Sequence, residues 1–165
     1  MTRTPRLRRG VALLAAPALV AGAAWAFVAE PFAIPSQSME PTLRPGDQVL
    51  VSKLAYRHGA PHRGELAVFR APDTRDVTIK RVVAVGGDRV EILDGVLNVN
   101  NRPLREGYVD YSRVDSVYFG PVVVPRGSFF TLGDNRGDSR DSRDYGVVPV
   151  RSLIGKVLVR FWRPR

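Results

Sequence analysis

Two serines at i and i+2, Ser36 and Ser38, lie between prolines in Pro35-Ser36-Gln37-Ser38-Met39-Glu40-Pro41-Thr42. A serine hydroxyl becomes a nucleophile only when a neighbour removes its proton. The same pattern also suits a polar turn. The chain holds 22 arginines and only three lysines, Lys53, Lys80 and Lys156. Arginine stays protonated and cannot serve as a base, whereas desolvation can leave a lysine neutral. Lys80 lies in the β-branched run Val77–Val85, where a strand would place it on one face with Thr78, Val82 and Ala84. A lysine on a solvated edge strand is the plain alternative. A third segment, Leu132–Gly146, is dense in aspartate, arginine, glycine and serine.

Cysteine is absent, which excludes a disulfide framework, a thiolate metal site and a cysteine nucleophile. The only histidines are His58 and His62, in a segment broken by Gly59 and Pro61, so neither a metal pair nor a histidine triad is favoured. Asp134, Asp138 and Asp141 offer oxygen ligands for calcium. Their spacing misses the calcium-loop pattern, and Arg136, Arg140 and Arg143 interleave with them. Ion pairs that cross-link the loop to itself are the better reading.

These segments need strands to position them. Val49–Leu54, Leu66–Arg70, Val77–Val85, Val90–Leu93, Val96–Val99, Val122–Val124, Phe129–Leu132 and Lys156–Trp162 read as short strands between turns. Asp94-Gly95 is a hairpin signal. The stretch 100–121, with Tyr108, Tyr111 and Tyr118, reads either as a surface loop or as an irregular hairpin. No run of helical periodicity reaches twelve residues after residue 30. The fold class expected is mainly β, one antiparallel domain over residues 30–165. A hydrophobic content of 44% excludes a wholly disordered chain.

Residues 1–10 carry four arginines and no acid, and Val11–Ala29 carries no charge at all. As a helix those nineteen residues would span about 28 Å, close to the roughly 30 Å bilayer core. The expected organisation is a basic cytoplasmic tail at 1–10, a transmembrane anchor at 11–29 in contact with membrane lipid, and a domain outside the cell membrane at 30–165. A cleavable signal with Ala24-Trp25-Ala26 as its cut site is the alternative, but the apolar run is long for one. Phe32 and Ile34 either dip into the membrane interface or pack against the β domain.

In this order the segments resemble the type I signal peptidases, Ser-Lys serine proteases that remove signal peptides from exported preproteins. The resemblance covers the basic tail, the anchor, Pro35–Leu43, Arg63–Phe69, Thr78–Val90, Gly133–Pro149 and the C-terminal strand, with Gly133–Gly146 the most specific. It implies that Ser38 is the nucleophile and Lys80 the general base. It implies that Ser36 and the Ser38 backbone N–H form the oxyanion hole. Ser139 would hydrogen-bond Lys80, and Asp141 and Arg143 would pair to shape the loop that positions Ser139. The implied fold is mostly antiparallel β, the implied substrate a preprotein with small residues at −1 and −3, and no cofactor or metal is required. Gln37 stands where the family often has a small residue, and larger members carry insertions with no counterpart here.

The rival readings are a pilin- or conjugation-type processing peptidase, a self-cleaving repressor, a non-enzymatic membrane-tethered β module and a nucleic-acid binder. A repressor would need a DNA-binding helical domain where the anchor stands. The tethered module requires Ser38 and Lys80 to be exposed, distant and dispensable. A net charge of +9 invites the nucleic-acid reading, but the basic tail accounts for part of it and the remaining arginines alternate with acids. With Lys80 as base and Met39, Val82 and Ala84 keeping it dry, activity should rise as pH passes the lowered lysine pKa. A flat profile from about pH 6 to 10 would argue against a lysine base.

Overall fold

A computed structural model describes residues 28–57, 59–114 and 118–164. The tail at 1–10 and all but the end of the expected anchor lie outside these residues, as does His58. No described helix is long and apolar enough to cross a membrane. The chain is mainly β, and every strand pair is antiparallel.

Among the described residues eleven strands form two sheets. The larger uses β1 (Ala29–Ala33), β2 (Gln48–Ser52), β3 (Leu66–Arg70), β4 (Val77–Val85), β9 (Ser128–Leu132), β10 (Val148–Pro149) and β11 (Leu153–Trp162). Their order across the sheet is β1-β2-β11-β3-β4-β9-β10. The smaller contains β5 (Arg89–Leu93), β6 (Val96–Val99), β7 (Arg102–Pro103) and β8 (Phe119–Val123), in the order β7-β6-β5-β8. A single helical turn, α1 (Ser142–Tyr145), closes the loop after β9. Ala29, the last residue of the apolar run, pairs with Ser52 as the first residue of β1.

The period-two pattern puts alternate residues of each strand on opposite faces. In the β3–β4 pair, Val68 faces Ile79, and both enter a cluster with Ile34, Met39, Leu43, Val49 and Val51. On the other face Ala67, Phe69 and Val82 join Phe129 and Val148. The Phe69 and Phe129 rings meet edge to face at 5.5 Å between centroids, a favoured geometry for aromatic pairs. A third cluster joins the two sheets through Val83, Ala84, Val90, Ile92, Leu97, Phe130 and Leu132.

The register of β4 against β9 slips between Val82 and Ala84. This bulge corrects the sequence reading of the β4 face. Val82 and Val85 pack with one cluster, Val83 and Ala84 with another. One extra residue inverts the alternation beyond it, so Ala84 does not share the face of Lys80. The Asp94-Gly95 hairpin forms as expected, with both residues at positive φ between the paired Leu93 and Val96. The undecided stretch contains β7 and a 3-10 turn at Tyr111–Arg113. Ile34 is buried and Phe32 packs on its cluster, so both pack against the β domain.

Where β11 crosses β2, Gly155 leaves no room for a side chain. A Cβ there would lie 2.4 Å from the Ser52 carbonyl oxygen and 2.7 Å from Val51 Cγ1. Gly155→Ala should therefore cost about 1–3 kcal/mol of stability, read as a lower urea midpoint with little change in slope.

Candidate active site

The serine segment leaves β1 as a tight turn. Glu40 N–H donates to the Gln37 carbonyl and Leu43 N–H to the Met39 carbonyl, both at 2.9 Å. Met39 and Leu43 anchor the turn because their side chains are buried in the Ile79 cluster. Ser38, immediately before Met39, is 8% exposed. Its backbone N–H is given to no acceptor among the described residues. The Ser36 and Ser38 hydroxyl oxygens are 3.2 Å apart.

Lys80 reaches this turn from the middle of the larger sheet, where β4 lies between β3 and β9. Its Nζ donates to Ser38 Oγ at 2.6 Å, and the residue is 4% exposed. Ala67 pairs opposite it, and Phe69 and Val82 share its face. Met39 belongs to the cluster on the other face of β4, so of the three residues expected to dry the site only Val82 shares that of Lys80. Burial pulls the Lys80 pKa from the ordinary 10.5 to about 8, against the opposing pull of the Asp141, Asp134 and Asp138 carboxylates. The serine and lysine are thus buried and in contact, the reverse of what a tethered binding module requires.

The loop after β9 locks the turn in place. Asn135 N–H donates to the Ser38 carbonyl at 3.1 Å, and Asn135 Nδ2 to the Gln37 carbonyl at 3.2 Å. Asp134 accepts Arg81 Nε at 2.8 Å and Nη2 at 2.6 Å, and Thr42 Oγ1 at 2.5 Å. The Arg81 guanidinium also stacks on the Tyr108 ring, 3.8 Å from its centroid. Asp141 receives Gly133 N–H at 2.9 Å and Arg143 Nε at 2.9 Å, and it caps α1. Arg143 Nη2 donates to the carbonyls of Arg136 at 2.8 Å and Ser139 at 3.2 Å. Arg136 and Glu106 form a fully buried ion pair at 2.6 Å.

Two expectations change here. Ser139 Oγ is buried with no hydrogen-bond partner among the described residues, so it does not bond Lys80 in this structure. The carbonyl of Ser139 is held by Arg143, and its hydroxyl packs against Gly133 instead. A Cβ on Gly133 would come within 2.1 Å of Ser139 Oγ and 2.5 Å of the Ser38 carbonyl oxygen. The loop also does not mainly cross-link itself. Among the described residues only Asp141–Arg143 pairs in this way, while Asp134, Arg136 and Arg140 pair outward with Arg81, Glu106 and Asp73. Alternating charge in sequence gave the sign of the partners but not their addresses.

Sequence reasoning missed Thr42, Arg81, Glu106, Asp134 and Asn135 as positioning residues. Arg81 and Thr42 stood beside residues already singled out. Glu106 lay in the stretch left undecided. His62 is exposed beside Glu65 at 3.4 Å and lines neither cavity at Ser38. No group of three His, Cys, Asp or Glu side chains among the described residues is placed to hold a metal ion.

Two cavities meet at the serines. The larger, about 310 Å³, is lined by Ser36, Ser38, Thr78, Lys80, Asp138 and Tyr145 among others. The smaller, about 30 Å³, lies between Ser38 and the apolar Phe32, Ile34, Met39 and Ile79. It has room for a methyl-sized group and little more.

A family model described as signal peptidase, peptidase S26, matches residues 7–162. A probable signal peptidase I-2 of Synechocystis is 42% identical over 142 residues, covering 82% of this chain and 64% of that protein. A signal peptidase I of Leptolyngbya laminosa is 40% identical over 148 residues, covering 82% and 70%. The crystal structure of a signal peptidase I from Enterococcus faecalis superposes with a TM-score of 0.54 at 30% identity, covering 60% of this chain and 97% of that one.

Burial of Lys80 has a consequence for stability. Its folded pKa is below its unfolded one, so the unfolded chain binds more protons between about pH 8 and 10.5. Stability from this group rises with pH through that window, and below it the burial penalty stands at full size. Lys80→Met should then raise stability at pH 7 by about 1–3 kcal/mol and flatten the dependence between pH 8 and 10.5, as chemical denaturation at several pH values would record.

Proposed function

This chain belongs to the signal peptidase family, peptidase S26, and on that premise we propose that it is a serine endopeptidase that removes signal peptides from preproteins by a Ser38–Lys80 dyad. The observation that carries the reading is the buried 2.6 Å contact between Lys80 Nζ and Ser38 Oγ. No histidine, metal or cofactor is needed for the steps that follow.

With Lys80 neutral, its lone pair accepts the Ser38 hydroxyl proton along that contact. Ser38 Oγ attacks the scissile carbonyl carbon, and the carbonyl oxygen becomes an oxyanion. On this reading the uncommitted Ser38 N–H and the Ser36 hydroxyl stabilise it. One such donor is worth roughly 2.7–4 kcal/mol in the transition state. Collapse of the tetrahedral adduct breaks the C–N bond, and the Lys80 ammonium returns its proton to the departing amine. Neutral Lys80 then takes a proton from water, the hydroxide attacks the acyl carbon, and Ser38 leaves with that proton restored. Ser139, Asp141 and Arg143 support the site through the loop: Asp141 and Arg143 fix its backbone, and the Ser139 hydroxyl lies beside Gly133.

Specificity follows from the small apolar cavity. Its volume of about 30 Å³ accommodates alanine at −1 of the substrate and penalises a larger side chain by overpacking. The fit to the membrane is read from sequence. The apolar run from residue 11 up to the start of β1 at Ala29 supplies a single anchor with the tail at 1–10 in the cytoplasm, so the catalytic domain stands outside the cell membrane. Ser38 then follows the end of the apolar run by nine positions, close to where a preprotein leaves its own membrane-spanning segment.

The test uses the full chain in detergent with a preprotein carrying an Ala-x-Ala site. Cleavage after the second alanine should be lost in Ser38→Ala and Lys80→Ala and retained in Lys53→Ala, whose native partner is Glu30. Equal cleavage by all forms would assign the activity elsewhere. In the native chain kcat/KM should rise about tenfold per pH unit and level off above about pH 8. Replacing the −1 alanine by leucine should lower kcat/KM by at least about tenfold.

A further inference from the structure

The dyad reading fixes which side of the scissile bond lies in which cavity. The departing amine receives its proton from Lys80, so it must lie within reach of Nζ. Lys80 lines the larger cavity and not the smaller one. The smaller, apolar cavity takes the acyl side. The larger one receives the first residues of the released chain.

Two segments form the rim of the larger cavity. The β3–β4 turn contributes Thr74 and Asp76, and the loop after β9 contributes Asp138 and Arg140. Arg140 already pairs with Asp73. Asp76 and Asp138 make no ion pair among the described residues. With Lys80 neutral, the cavity therefore presents two uncompensated carboxylates to the departing chain. This local sign opposes the chain's net charge of +9.

We propose that the larger cavity reads the residues just after the cleavage site, and that Asp76 and Asp138 make it favour basic residues there over acidic ones. The proposal rests on the Ser38–Lys80 reading and adds a selectivity on the opposite side of the bond from the alanine pocket. Both carboxylates are exposed, so the preference should be screened by salt.

Three peptides test it, identical through the −1 alanine and carrying Lys-Lys, Ala-Ala or Glu-Glu immediately after it. Assays at about pH 9 keep Lys80 neutral in every variant. At low ionic strength kcat/KM should fall in the order Lys-Lys, Ala-Ala, Glu-Glu, with about tenfold between the extremes. The spread should shrink at about 0.5 M salt and fall to within about twofold in the Asp76→Asn, Asp138→Asn double variant. Circular dichroism of that variant checks its fold. Bulk attraction to a basic chain would give the reverse order. Cleavage of all three peptides at equal rates overturns this proposal and leaves the peptidase reading standing. A Lys-Lys preference that survives both substitutions overturns the role of the two aspartates. Failure to cleave any of the three overturns both readings together.

Discussion

The amine of Lys80, a residue only 4% exposed, is costly when charged against a serine hydroxyl, and much of the structure manages that cost. Lys80 lies on a strand with neighbours on both sides, opposite Ala67 and beside Phe69 and Val82. Those neighbours remove water. Yet the loop that shapes the site brings three carboxylates into the field of the amine, each of which favours the ammonium. Arg81 and Arg143 offset two of them through two-pronged pairs with Asp134 and Asp141. The arginines thus do more than fasten the loop. They let carboxylates serve as structural cross-links near an amine that burial draws toward its neutral form.

The cross-links also fix the Ser38 turn. Thr42 and Arg81 meet on Asp134, and Asn135 holds the carbonyls of Ser38 and Gln37, so the turn is fastened on both sides of Ser38. Behind the loop, Arg136 and Glu106 are both buried. Desolvating such a pair consumes most of its Coulomb attraction, and Glu106 Oε2 has no hydrogen-bond partner among the described residues. The contribution of this pair is positional: Arg136 Nε holds the Gly133 carbonyl at 3.0 Å, where glycine passes between Ser38 and Ser139.

Strands with strong β-branched alternation were legible, and Val77–Val85 and Val96–Val99 match their expected bounds. The hairpin at Asp94-Gly95 was legible because its backbone needs positive φ at both residues. The short β7 and β10 were not, since two residues carry no periodicity. β1 was hidden by the apolar run that leads into it, and the division into two sheets had no local signature. The bulge in β4 was hidden because valine fits either face equally well. Ser38 and Lys80 could be named from the rarity of lysine and from the resemblance. Their supporting contacts could not, because Arg81–Asp134 and Arg136–Glu106 join positions far apart in sequence.

The adjacency of Lys80 and Arg81 explains why register matters more here than the strength of any one contact. Consecutive strand residues point to opposite faces, so β4 sends an amine to Ser38 and a guanidinium to Asp134 from neighbouring positions. A slip by one residue would exchange them. The guanidinium cannot act as a base at any working pH, and a lysine in its place would lose the fork that grips both carboxylate oxygens. Val77–Arg81 pairs with Leu66–Arg70 without interruption, and the bulge against β9 falls only beyond Val82. The irregularity that curves the sheet is thereby kept off the segment that sets which of the two cations meets the serine.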